Sequence, residues 1–177
     1  KINLNTAPNA TTQNSPANSA VGVSVTPTFL MTASDPETDD VSYKVTIYDD
    51  SGCTSVVQTN DQAVSSTGWT GSNATCSASP TACYVSNTQG SFLTQTPISY
   101  GTQYWWKASA KDPDGTGNFT NSSTCNTFTT VLSSAIEVRA QDYTTAVSTI
   151  TFPEGASDAT VSVPYNNVDG SGSSQTF

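Results

Sequence analysis

Two acidic runs carry the clearest chemical potential in this chain. Asp35-Pro-Glu37-Thr-Asp39-Asp40 supplies four carboxylates, and Asp112-Pro-Asp114-Gly supplies two more. Like charges so placed repel unless a cation is bound among them. Ca²⁺ takes six to eight oxygen ligands in flexible geometry, so it is the ion these residues would suit. The competing reading is that both runs are solvated turns, because proline fixes φ and glycine supplies a positive φ. Calcium at Asp35, Glu37, Asp39, Asp40, Asp112 and Asp114 is the cofactor expectation; no other cofactor is expected.

Catalytic chemistry finds little support. The chain has no histidine, which removes the commonest general base and the usual Ser or Cys triads. The four cysteines, Cys53, Cys76, Cys83 and Cys125, are even in number and lack metal-ligand spacing. They are expected to form disulfides in an oxidising compartment, so a thiolate nucleophile is not expected. Cys76 and Cys83 flank a Ser-Pro turn and are the expected pair. A carboxylate pair could hydrolyse glycosides, but nothing marks one of these carboxyls as a proton donor. The chain is read as a non-enzyme.

These residues must be carried by strands. Serine and threonine are abundant, leucine is scarce, and no window repeats apolar residues at helical spacing, so an all-β protein is expected. The organising stretch is Thr102–Gly115. Tyr104, Trp106, Ala108 and Ala110 alternate with Trp105, Lys107, Ser109 and Lys111, the period-two pattern of a half-buried strand. Val41, Tyr43, Val45 and Ile47 alternate in the same way. Further strands are read at Thr26–Ala33, Cys53–Gln58, Ser91–Thr94 and the segment ending Phe128–Thr130. Residues 1–12 read as a loose terminus or a short edge strand bearing Ile2 and Leu4, and 15–23 as turn-rich. Residues 59–90 read as a long insertion, which needs pinning by a disulfide or a buried Trp69.

Charge narrows the partners. Charged residues are 11% of the 177, and the formal net charge is −9 with five basic residues. Phosphate binding needs clustered Lys and Arg, so nucleic acid is not an expected partner. Anionic membrane surfaces would repel the chain, and no run is long and apolar enough to span a bilayer as a helix. The chain opens at Lys1 without a signal peptide, as a processed form or an excised piece would. Asn9, Asn73, Asn118 and Asn121 head glycosylation sequons, which a chain so rich in serine and threonine produces readily by chance.

Pro16-Ala-Asn, Thr26-Pro-Thr, Ala33-Ser-Asp-Pro, Ser42-Tyr-Lys-Val, Ile98-Ser-Tyr-Gly-Thr-Gln-Tyr-Trp-Trp and Phe128-Thr-Thr, in that order, resemble bacterial fibronectin type III-like domains of secreted and cell-surface proteins. The resemblance covers residues 8–131. It implies a two-sheet antiparallel sandwich, strands A, B and E against C′, C, F and G, with Tyr104 as a corner tyrosine at the start of strand F. Met31 departs from it, standing where the family usually has tryptophan. The implied strand directions gather the six acidic residues at one pole, with Lys111 to offset them, and send the chain out at the other pole after Thr130. They also place Cys53 and Cys125 on opposite edges of one sheet, three strand spacings or roughly 14 Å apart and beyond disulfide reach, so either C′ leaves the family path or the pairing crosses through the insertion. Trp105 points off the outer face beside Thr46 and Tyr48. Either the insertion folds over that face and Trp69 covers Trp105, or the exposed rings stack on sugars.

Residues 134–177 read as a second β-rich unit with strands near 136–140, 147–152 and 159–163. Three strands are too few for an independent sandwich, so this unit is incomplete or is completed by another chain. The functional expectation is an extracellular structural or adhesive module of a bacterial surface or secreted protein, joined end to end with neighbouring domains or identical subunits, including as a subunit of an extracellular fibre. The alternative is a carbohydrate-binding accessory module of a secreted enzyme.

Overall fold

The computed structural model describes residues 5–71, 83–113 and 117–133, and the backbone of two short strands at 135–136 and 150–151. Among these there is no helix. The chain divides into two compact units, Lys1–Leu132 and Ser133–Phe177.

In the first unit ten strands form two sheets. One has the order β1 (Thr12–Ser15), β3 (Thr28–Thr32), β7 (Gly90–Leu93), β6 (Trp69–Thr70). The other runs β2 (Ala20–Val23), β10 (Asn126–Thr130), β8 (Gln103–Lys111), β4 (Ser42–Tyr48), β5 (Val56–Asp61), with β9 (Thr120–Asn121) paired to β8. Every pairing is antiparallel except β2 with β10. This is an all-β, two-sheet sandwich. The N-terminal segment, expected as a loose terminus or a short edge strand, leads into β1, and residues 15–23, expected as turn-rich, end β1 and carry β2 instead. β1 stays with β3, but Pro16 has no N–H to continue the ladder. The chain then crosses to the other sheet as β2.

β8 is central, as its alternation predicts. Tyr104, Trp106, Ala108 and Ala110 are all buried, and β4 pairs along it from Ser42↔Lys111 to Tyr48↔Trp105. The core joins these side chains to Phe29 and Met31 of β3 and to Phe92 of β7. Phe29 lies 4.8 Å from the Trp106 ring and 5.9 Å from Phe128. Met31 is fully buried and fills the core without the bulk of tryptophan. The Tyr104 hydroxyl accepts a hydrogen bond from Ser99 N–H at 3.1 Å, tying the start of β8 to the preceding loop as a corner tyrosine does. Tyr43 reaches across the core, donating to Thr88 O and accepting from Ala33 N–H. Its ring needs Gly90, where an added Cβ would come within 2.6 Å of it.

The expected insertion is shorter and more ordered than its composition implies. β5 continues to Asp61, so its first residues belong to a strand, and Cys53 lies in the turn before β5 rather than on it. Farther on, β6 adds an edge to the four-stranded sheet, and Tyr84 bridges to Val41. Trp69 packs inside the sandwich, 4.9 Å from Phe92 and 6.5 Å from Tyr84. It therefore does not cover Trp105, which belongs to the other sheet and faces away from the core. A tryptophan with two aromatic neighbours buries more apolar surface between the sheets than outside them.

In the second unit β11 (Ala135–Ile136) pairs antiparallel with β12 (Ile150–Thr151). The strand expected near 159–163 lies outside the described residues.

Candidate functional site

Three features carry the chemistry of the first unit, two of them anticipated above. The first is the acidic pole. Because Ser42 pairs with Lys111, the loop before β4 and Asp112 after β8 share one end of the sheet. Most of their carboxylates bond within the protein, though Asp35 Oδ2 is buried without a hydrogen-bond partner among the described residues. Asp35 is buried, and its Oδ1 accepts from the N–H groups of Glu37 and Asp39, the local bonding that makes aspartate a turn residue. Glu37 accepts from the hydroxyl and N–H of Thr6. Asp112 accepts from the side-chain amide of Asn5. Asp40 Oδ2 lies 3.3 Å from Sγ of Cys83, which is disulfide-bonded; Cys76 lies outside the described residues. The ammonium of Lys111 sits 5.0 Å from the centre of the Phe119 ring, and that of Lys44 sits 4.0 Å from it. Among the described residues no three His, Cys, Asp or Glu are grouped so as to hold a metal ion. Asp114 is outside them.

The second feature is the face around Trp105. Cys53 and Cys125 form a disulfide with Cα atoms 6.5 Å apart, the outcome expected if the segment carrying Cys53 leaves the family path. That path would put Cys53 on the edge strand. In the structure it occupies the β4–β5 turn with a positive φ of 54°, and a turn can leave the plane of its sheet. Cys125 immediately precedes Asn126, which pairs with Trp106, so it stands beside the body of β8. The bridge must therefore cross the outer face of β8 to join the two. Trp105, on that face, is half-buried. The turn is held in shape by Asp50, whose carboxylate accepts from the N–H groups of Gly52, Thr54 and Ser55 and from the Thr54 hydroxyl. The backbone donors of Ser55 and Thr54 hold its pKa below the ordinary carboxylate value.

The third feature escaped sequence reading. Gln58 pairs with Ile47 and Asn60 with Val45, both buried, and directly paired residues point to the same side of a sheet. The inward face of β5 thus carries side-chain amides. Gln58 Nε2 donates to Thr96 O at 2.9 Å. Gln62, just beyond β5, is fully buried, and its Oε1 accepts from Tyr43 N–H. The Nε2 of Gln62 and the Nδ2 of Asn60 are buried without a hydrogen-bond partner among the described residues. Asn60 and Asp61 line a cleft of about 460 Å³ whose other walls include Ser65, Thr67, Trp69 and Phe92. The cleft opens along the flank between β5, at the edge of one sheet, and β6 with β7 in the other. The alternation of Gln58, Asn60 and Gln62 was the available signal, and reading 59–90 as insertion hid it.

Comparison with family models, curated proteins and solved structures finds no match to this chain.

Proposed function

We propose that this chain is a non-catalytic extracellular module that serves as a structural and adhesive unit of a bacterial surface or secreted protein. The observation supporting this reading most is the path of the chain through the first unit. Asn5 and Thr6 bond to Asp112 and Glu37 at one end of β8. Val131 donates its N–H to Val23 O and accepts from Gly101 N–H at the other end. The nine residues of β8 lie between these two points, a span of roughly 27 Å at strand rise. A module that receives the chain at one end and releases it at the other extends a string of domains, whereas one with adjacent ends hangs from a loop.

The Cys53–Cys125 bridge supports the compartment, since such bonds persist where the surroundings are oxidising. The absence of histidine from the whole sequence supports the non-catalytic reading, and the net charge of −9 disfavours nucleic acid and anionic membranes as partners. Identical subunits joined end to end would make the same arrangement a fibre. Protease treatment of intact producing cells tests the proposal: peptides of this chain should appear in the supernatant with Cys53 and Cys125 refractory to alkylation before reduction. Recovery only after lysis, with both thiols reactive, would refute it.

A further inference from the structure

We propose that β5 is a docking edge for an extended peptide strand that brings apolar side chains and a lysine or arginine. This goes beyond the spacer reading, which requires no ligand. β5 ends its sheet. With six residues it is the longest edge strand among the described residues, since β1 and β2 have four and β6 has two. An unpaired strand edge is a template on which another chain can add a strand.

The register shows which backbone groups are open. Gln62 N–H donates to Tyr43 O at 3.0 Å. Antiparallel ladders alternate bonded and non-bonded pairs, so Asn60 with Val45 and Gln58 with Ile47 are the bonded ones. Thr59 and Asp61 lie between these positions, and their N–H and C=O groups turn away from β4. Asp61 O accepts from the N–H groups of Val64 and Ser65. That leaves the N–H and C=O of Thr59 and the N–H of Asp61 without a backbone partner among the described residues. The bulge at Val57 disturbs only the start of the strand. Side chains along the edge select the partner. Val56, Val57 and Val64 are 55%, 40% and 81% exposed, an apolar run that an added strand would cover. Asp61 uses Oδ1 to accept from Ala63 N–H. Its cross-strand neighbour Lys44 holds its ammonium 4.0 Å from the Phe119 ring, toward β9 on the far side of β8. The second oxygen of Asp61 is thus left for a cation on the partner, and Asp49, exposed in the turn before β5, adds to the same field. A second copy of this chain would bring a further net charge of −9, so charge favours a basic peptide over self-pairing.

The test is amide hydrogen exchange, read by NMR on the full chain, with two capped synthetic peptides. Both alternate threonine and valine; one carries lysine at each end and the other glutamate. At about 1 mM the lysine peptide should slow exchange of the Thr59 and Asp61 amide protons about tenfold or more. The glutamate peptide should bind about fivefold more weakly or worse. Thr59→Pro removes an N–H that faces away from β4 and spares the β4–β5 ladder. It should weaken the lysine peptide about tenfold or more while the spectrum stays that of the folded protein. Asp61→Asn keeps an acceptor for Ala63 N–H and drops the charge. It should erase most of the preference for lysine over glutamate without abolishing binding, and it tests the proposal even if Thr59→Pro does not fold. The proposal is overturned if neither amide is protected, if protection appears on β1 or β2 instead, if folded Thr59→Pro binds as the wild type does, or if Asp61→Asn leaves the preference unchanged. A dimer in sedimentation that Thr59→Pro dissociates would also overturn it, by making a second copy the occupant. None of these results bears on surface exposure of the module, so the spacer reading stands or falls separately.

Discussion

Tyr43 shows how much one side chain can hold. Its hydroxyl serves Ala33 N–H and Thr88 O together, so Tyr43→Phe orphans a donor and an acceptor in the core. We expect a loss of about 1–3 kcal/mol in chemical denaturation. Burial, the main cause, pushes the Tyr43 pKa from 10.0 to about 12. The raised value favours the neutral form in the folded state, so this contribution is full below pH 10 and fades as pH rises from 10 to 12. An alkaline melt should show a smaller loss in Tyr43→Phe than in the wild type, the remainder coming from Tyr84, whose pKa burial also raises. Asp50 runs the other way. Its folded pKa lies below 3.8 because the turn N–H groups donate to its charged form. Its contribution is therefore present above the ordinary carboxylate pKa and fades as pH falls through the lowered one. Carbon-detected titration should place Asp50 below the ordinary carboxylate value, and Thr54→Ala should raise it. The burial of Tyr43 was legible in the alternation around it; the partners of its hydroxyl were not, because both are backbone atoms.

Among the elements, β8 and β4 declared themselves because an apolar face repeating every second residue is the mark of a half-buried strand. β1, β2 and β6 did not, since short edge strands bury little and carry turn-like sequences. β5 was legible only in part. Its inward face is polar, and a search for alternating hydrophobes passes over alternating amides. The Cys53–Cys125 bridge stayed open in the sequence for a different reason: strand spacing along the family path forbids it, and only a turn that lifts Cys53 out of the sheet allows it. That bridge closes a loop with a sequence separation of 72, which in the chain-entropy view stabilises by roughly 4 kcal/mol. Cys53→Ser with Cys125→Ser should lower the melting temperature markedly, and Trp105 should become more accessible to a neutral quencher such as acrylamide. An unchanged melting temperature would mean that the unfolded chain already keeps these segments together.

At the scale of the whole molecule, the sandwich and its central strand were readable, and so was the sharing of one end by the acidic runs. The flank cleft was not, because it arises where two sheet edges meet and its walls come from segments far apart in sequence. The parallel pairing of β2 with β10 was equally hidden, since nothing local announces a partner so distant along the chain. That pairing sets how the first unit responds to tension. β2 follows the incoming segment and β10 leads to the outgoing one, and the two run the same way, with Ala20 beside Phe128 and Val23 beside Thr130. A pull applied at the two ends drags these neighbours past each other along their length, so their bonds must fail together rather than open one after another like a zipper. Single-molecule stretching through residues 5 and 132 should therefore give a higher rupture force than stretching through handles on β4 and β5, whose antiparallel hairpin peels bond by bond. Equal forces would show that resistance lies elsewhere in the unit.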